Sequence, residues 1–105
     1  MTNAKDAILS MIVDNSVQVA VVGLGYVGLP LAVAFSRHGV RVIGIDKDVT
    51  KINNLANCEN YIPDVDDKTL TQIVKSGMFT ATMDETRISE CQVIVICVPT
   101  PLDIY

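Results

Sequence analysis

The stretch VQVAVVGLGYVG, Val17–Gly28, decides the fold: an apolar run, Val17–Val22, passes straight into a glycine-rich turn. A buried strand, then Gly23-x-Gly25-x-x-Gly28, then a helix is the arrangement that seats a dinucleotide pyrophosphate on a helix N-terminus. In such a turn Gly23 lets the chain bend sharply off the strand. Gly25 removes the Cβ that would block close approach of the phosphates, and Gly28 lets the helix lie tight against the sheet. Three glycines in this pattern are a weak signal alone. The strand before them strengthens it, and so does Asp46 at the end of the next strand-like run. That acid stands 18 residues past Gly28, close to the ~20-residue spacing of a carboxylate on the adenosine ribose.

Upstream of this stretch, Ala7, Ile8, Met11 and Ile12 fall on one face of a weak helical pattern over Ala4–Val13. Residues 1–16 therefore read as a leader helix, packed on the domain or bound to a partner. Downstream, Tyr26–His38 reads as the first helix, with Pro30 tolerated in its first turn and Gly39 as its C-terminal cap. Val27, Leu31, Ala34, Phe35 and His38 fall close to one face and make its apolar stripe. His38, the single histidine, sits at the helix end, where a partial positive charge suits the helix dipole, and away from the glycine turn.

Arg41–Asp46 (RVIGID) is the second strand, and a helical connection from the first demands parallel pairing through a right-handed crossover. Asp48 caps a second helix through about Ala56, with Ile52 and Leu55 facing inward. Asn57–Val65 is a loop carrying Pro63. Asp66 or Asp67 caps a third helix whose stripe is Leu70, Ile73 and Val74 and whose stop is Gly77. Asp64, Asp66 and Asp67 lack calcium-loop spacing and read as a cap plus solvated surface, so no metal site is expected. Met78–Thr82 is a short edge strand and Asp84–Glu90 a helical turn. Gln92–Val98 is the most strongly apolar strand, ended by Pro99 and Pro101, which cannot donate to a ladder.

This order defines an α/β fold, a Rossmann-type half with a parallel sheet of about four strands in order 3-2-1-4 and helices on both faces. The winding reverses between strands one and four, and a crevice opens there. Gly23–Gly28 sits at one lip and Val98–Thr100 at the other.

Composition agrees. The chain has 105 residues, enough for one domain, and half of them are apolar. Twelve acidic residues against eight basic ones leave a formal charge of −4, which argues against nucleic acid and anionic membranes as partners. Met1–Ser16 holds only a short apolar run, broken by Asp6 and Asp14, and does not read as a signal peptide. No apolar run approaches the roughly 20 residues of a membrane span. Cys58, Cys91 and Cys97 have no CxxC spacing, and an odd count fits reduced thiols. The chain reads as soluble and cytoplasmic.

With both lips of the crevice in place, the chain resembles the N-terminal NAD-binding domain of the UDP-glucose/GDP-mannose dehydrogenase family. The likeness is carried by GLGYVGLPLAVAF (Gly23–Phe35), GIDKDVTKI (Gly44–Ile52) and VIVICVPTPL (Val93–Leu102). NYIPDV (Asn60–Val65) and ATMDETRISEC (Ala81–Cys91) are most similar to members that oxidise UDP-N-acetylhexosamines, such as the UDP-N-acetylglucosamine 6-dehydrogenases. The resemblance implies NAD as cofactor. It implies that amides around Tyr26 and Val27 meet the pyrophosphate, that Asp46 and Lys51 reach the adenosine ribose, and that Val98, Pro99 and Thr100 lie on the nicotinamide side. A carboxylate at Asp46 accepts bonds from a ribose diol and repels a 2′-phosphate, which favours NAD over NADP, with Lys47 tempering that preference.

The family's chemistry takes a sugar C6 alcohol to a carboxylate through two hydride transfers, with a cysteine holding the intermediate. By resemblance that cysteine and the nucleotide-sugar-binding residues fall after Tyr105, and Cys58, Cys91 and Cys97 do not match it. The expectation is therefore residues 17–105 as a truncated NAD-binding domain, with no catalytic residue of its own, from a parent that is an enzyme. The open outer edge of strand 92–98 favours self-association. Two competing readings are a free-standing NAD-binding regulatory module and another Rossmann oxidoreductase, acting for instance on hydroxy acids.

Overall fold

The computed structural model describes residues 17–97, so the leader helix expected in 1–16 and the expected site residues Val98, Pro99 and Thr100 lie outside the described residues. Four strands, β1 (Gln18–Val22), β2 (Arg41–Ile45), β3 (Phe79–Thr82) and β4 (Val93–Ile96), form one parallel sheet in the order β3-β2-β1-β4. β1 lies at the centre, with Val19 opposite Val42 on one side and Val93 on the other. The 3-2-1-4 order expected from the sequence is the order found. Three helices, α1 (Gly28–Arg37), α2 (Val49–Ala56) and α3 (Asp67–Lys75), and a 3-10 segment (Glu85–Glu90) connect the strands.

Val19 and Val21 of β1, Val42 of β2 and Phe79 of β3 form one buried cluster with Leu29, Ala32 and Val33 of α1, Leu55 of α2, and Leu70 and Ile73 of α3. The three α-helices thus share a face of the sheet, because β1→β2→β3 steps twice in the same direction with the same handedness. The return from β3 to β4 runs the other way, and the same rule carries it over the opposite face, where the 3-10 segment packs against β2. Fully burying an aliphatic side chain in this cluster contributes about 1.5–3 kcal/mol.

Three details differ from the sequence reading. First, the α-helices share one face of the sheet where helices on both faces were expected, because both the β1→β2 and β2→β3 crossovers have the same hand. Helix α1 begins at Gly28, two residues later than expected, and Tyr26 and Val27 form an exposed turn before it. Its buried face is Gly28, Leu29, Ala32, Val33 and Ser36, whereas Ala34 and His38 of the expected stripe are exposed. The sheet selects the face with small residues at every fourth position, Gly28, Ala32 and Ser36, since these allow the helix axis to approach closely. In β4, Val93 and Val95 pack against the core, but Ile94 and Ile96 are exposed, as is expected of an edge strand with only one face covered.

The helix starts follow the sequence. Asp48 accepts the Thr50 N–H at 2.9 Å and Asp66 the Thr69 N–H at 2.9 Å, which settles Asp66 over Asp67 as the third helix's cap. Asp84 does the same for the 3-10 segment through the Thr86 N–H at 3.0 Å. Gly77 ends α3 with φ 81°. At the end of α2 the left-handed position falls to Cys58, with φ 59°.

Candidate functional site

The site is built where β1 and β2 end side by side. Gly23 leaves β1 at φ 98°, and its N–H donates to the Ile45 carbonyl at 2.7 Å, stitching the turn to the end of β2. Leu24 buries its side chain completely and anchors the turn in the core. Its N–H donates to Asp46 Oδ2 at 2.8 Å, while Asp46 Oδ1 accepts the Asp48 N–H at 2.9 Å. Each carboxylate oxygen retains a second lone pair. Lys51, in the first turn of α2, brings its Nζ to 3.9 Å from Asp46 Oδ2, with the lysine side chain 33% exposed and the aspartate 14%.

The three glycines of the turn answer to different demands. At Gly28 an added Cβ would lie 1.6 Å from the Gly23 carbonyl oxygen, so the helix can sit on the strand end only without a side chain there. Gly23 is required by its positive φ. Neither reason applies to Gly25: its φ is not in the left-handed region, and the nearest atom to an added Cβ is Lys51 Nζ at 3.9 Å, an ordinary contact. The fold leaves the space over Gly25 empty without needing it empty.

Above that space, α1 starts with no side-chain cap and no acid in its first turn, although α2, α3 and the 3-10 segment are all capped by aspartates. Among the described residues no acceptor meets the N–H groups of Gly25, Tyr26 and Val27. Such a terminus carries partial positive charge and free donors, which suits an anion. Tyr26 and Val27 are 80% and 67% exposed, so the terminus is open to solvent.

Beside the turn lies a cleft of about 340 Å³ lined by Val22, Gly23, Ile45, Asp46, Lys47 and Glu85. Lys47 and Glu85 face each other across its rim at 4.0 Å, an exposed pair that adds little stability. A broader hollow of about 480 Å³ between Asn60 and Asp67 is open and acidic. There Asp66 caps α3 and Asp67 accepts from Asn60 at 2.9 Å, which accounts for those two acids structurally.

The structure thus brings Gly23, Gly25, Tyr26, Val27, Gly28, Asp46 and Lys51 together. The end of β4 joins them: the Cys97 N–H donates to the Val22 carbonyl at 2.7 Å, and Cys97 Cβ stands 3.3 Å from where a Gly28 Cβ would be. Sequence reasoning gave no role to Glu85 or Tyr61. The Tyr61 hydroxyl donates to the Leu24 carbonyl at 2.6 Å. The available signal was the run Tyr61, Ile62 and Val65, large apolar side chains in a loop. Cys91 is no activated thiolate, since burial, foremost, pushes its thiol above the ordinary value of 9.0.

A half-wound parallel sheet, a glycine turn at the switch point and an acid at the end of β2 define a dinucleotide-binding domain of the Rossmann type. Residues 17–105 match the model of the UDP-glucose/GDP-mannose dehydrogenase family, NAD binding domain, and the chain belongs to that family. It is 34% identical over 85 residues to a UDP-N-acetyl-D-mannosamine dehydrogenase of Methanococcus maripaludis, covering 80% of this chain and 19% of that protein. To a UDP-N-acetyl-D-glucosamine 6-dehydrogenase of Salmonella typhi it is 36% identical over 91 residues, covering 87% of this chain and 20% of that protein. The fold superposes on a crystal structure of a ternary complex of GDP-mannose dehydrogenase from Pseudomonas aeruginosa with a TM-score of 0.70 and 33% identity, over 79% of this chain and 20% of that one. The chain spans about a fifth of the length of the curated relatives it matches. Among the described residues no helix is long and apolar enough to cross a membrane.

Proposed function

We propose that this chain binds NAD as the cofactor domain of a nucleotide-sugar 6-dehydrogenase, a protein that oxidises the C6 alcohol of a UDP-sugar to a carboxylate. The observation that carries the reading is Gly25, a residue whose missing side chain serves neither the backbone nor the packing and so is kept for a ligand. In this reading the pyrophosphate rests over Gly25 against the N–H groups of Tyr26 and Val27, and Gly23 and Gly28 shape the turn beneath it. Lys51 supplies positive charge at its edge. Asp46 accepts hydrogen bonds from the adenosine ribose diol, and Glu85, on the same cleft, adds to its repulsion of a 2′-phosphate. Val98, Pro99 and Thr100 are assigned to the nicotinamide side on their resemblance to the family motif. Bound NAD supplies the hydride acceptor; the residues of this chain hold and orient it.

Residues 17–105 form the cofactor domain and 1–16 a leader. None of Cys58, Cys91 and Cys97 is assigned to catalysis, so turnover depends on residues other than these. Free thiols and a soluble cofactor support a cytoplasmic location. β4 is an edge strand among the described residues and exposes Ile94 and Ile96, which supports self-association; sedimentation at rising concentration tests it. Calorimetric titration tests the main reading. NAD should bind more tightly than NADP, and Asp46→Ala should weaken NAD and narrow the gap. Equal affinities, or indifference to Asp46→Ala, would refute it.

A further inference from the structure

The loop between α2 and α3 does more than connect two helices. Tyr61, 37 residues away from the glycine turn in sequence, donates its hydroxyl to the Leu24 carbonyl at 2.6 Å. That carbonyl belongs to the peptide unit whose other end is the Gly25 N–H. Because a peptide unit is planar and trans, fixing the direction of its carbonyl fixes the direction of its N–H. The preceding N–H, that of Leu24, is held by Asp46 Oδ2 at 2.8 Å, and the Leu24 side chain is fully buried. Both peptide groups of Leu24 are therefore gripped by side chains from two separate segments, just before Gly25, which as a glycine has no Cβ to restrict its own backbone.

The loop is built to present Tyr61. Next to it, Asn60 accepts the Ile62 N–H at 2.9 Å and donates to the Val65 carbonyl and to Asp67 Oδ1. Ile62 and Val65 are themselves buried in the core. Burial, followed by the charges of Asp46 and Asp48, pushes the Tyr61 phenol well above its ordinary value, so it stays a donor throughout the physiological range.

We infer that Tyr61 is a positioning residue of the nucleotide site: its bond to the Leu24 carbonyl holds the Gly25 amide in its ligand-receiving direction before a dinucleotide arrives. The inference rests on the NAD-binding reading above for its purpose, but the clamp itself is testable without ligand. In Tyr61→Phe of the 105-residue chain, the backbone 15N order parameters of Gly25 and Tyr26 should fall from the rigid range, about 0.85, toward the flexible range below about 0.6. The NAD dissociation constant should rise roughly fivefold, as loss of one hydrogen bond implies. Ile73→Val, which weakens the core on α3, should move neither quantity, separating positioning from general destabilisation. Should Tyr61→Phe fail to fold, Asn60→Ala carries the same two readouts in the same direction. Unchanged order parameters at Gly25 overturn the clamp, whatever the affinity does. Absence of NAD binding by the unaltered chain overturns the NAD reading instead, and leaves the order parameters to decide the clamp.

Discussion

Gly28 and Gly25 differ by three positions and should fail in opposite ways when each gains a methyl group. In Gly28→Ala the new Cβ would begin 1.6 Å from the Gly23 oxygen and 2.8 Å from its carbonyl carbon. Real Cβ atoms essentially never approach within 3.0 Å, so α1 and the Gly23 carbonyl must separate by at least 1.4 Å, the gap between 1.6 Å and that limit. Both obstructing atoms are backbone and cannot swing aside. Overpacking of this kind costs about 3 kcal/mol, a large share of the ~5–15 kcal/mol that a domain has in total. With a urea slope near 1.5 kcal/mol/M, the midpoint should drop by about 2 M. Gly25→Ala meets only Lys51 Nζ at 3.9 Å and should hold its midpoint, or gain up to about 1 kcal/mol from a stiffer unfolded chain. Its loss should appear in NAD binding instead, because the methyl occupies the space assigned to the phosphates. Urea melts by circular dichroism, paired with NAD titrations of the folded variants, read both effects. A Gly28→Ala midpoint within 0.3 M (about 0.5 kcal/mol) of the parent, or a Gly25→Ala chain that binds NAD like the parent, would refute the reasoning.

Two further substitutions probe the frame around the site. Ser36→Ala should stabilise the domain by about 1 kcal/mol, because the Ser36 hydroxyl is buried without a hydrogen-bond partner among the described residues; a thermal melt that falls would contradict this. The Asp66 carboxyl is held below the ordinary 3.8 by the backbone and then the side-chain hydrogen bond from Thr69. Asp84 is held below 3.8 by the side-chain and then the backbone hydrogen bond from Thr86. Lowered folded values mean that the unfolded chain binds more protons, so this stabilisation is complete above pH 3.8 and is lost as pH falls through the folded values. The Asp66→Asn, Asp84→Asn double variant should therefore show a shallower decline in urea midpoint below about pH 4; a decline as steep as the parent's would contradict it.

The topology was legible because connection rules leave little choice once the strands are found. An apolar run at Val17–Val22, another at Arg41–Ile45 and a helix-length link between them require parallel pairing, and the proline-terminated run after Gln92 has to return to β1's free side. Asp46 was legible through its distance from Gly28. The face that α1 presents was not, because large apolar residues such as Leu31 and Phe35 suggest a stripe. Close approach to the sheet instead requires the small ones, Gly28, Ala32 and Ser36. Tyr61 was hidden for a different reason. Its partner is a main-chain carbonyl, and nothing in a sequence marks which carbonyl a distant hydroxyl will find.

A single spectrum series bears most directly on where the dinucleotide rests: 15N chemical shifts of the chain during titration with NAD. Saturable changes at the amides of Leu24–Gly28 and of Asp46–Asp48, with the Asn60–Asp67 hollow quiet except at Tyr61, are the predicted result. Shifts confined to that acidic hollow, or none at all along Leu24–Gly28, would contradict the account.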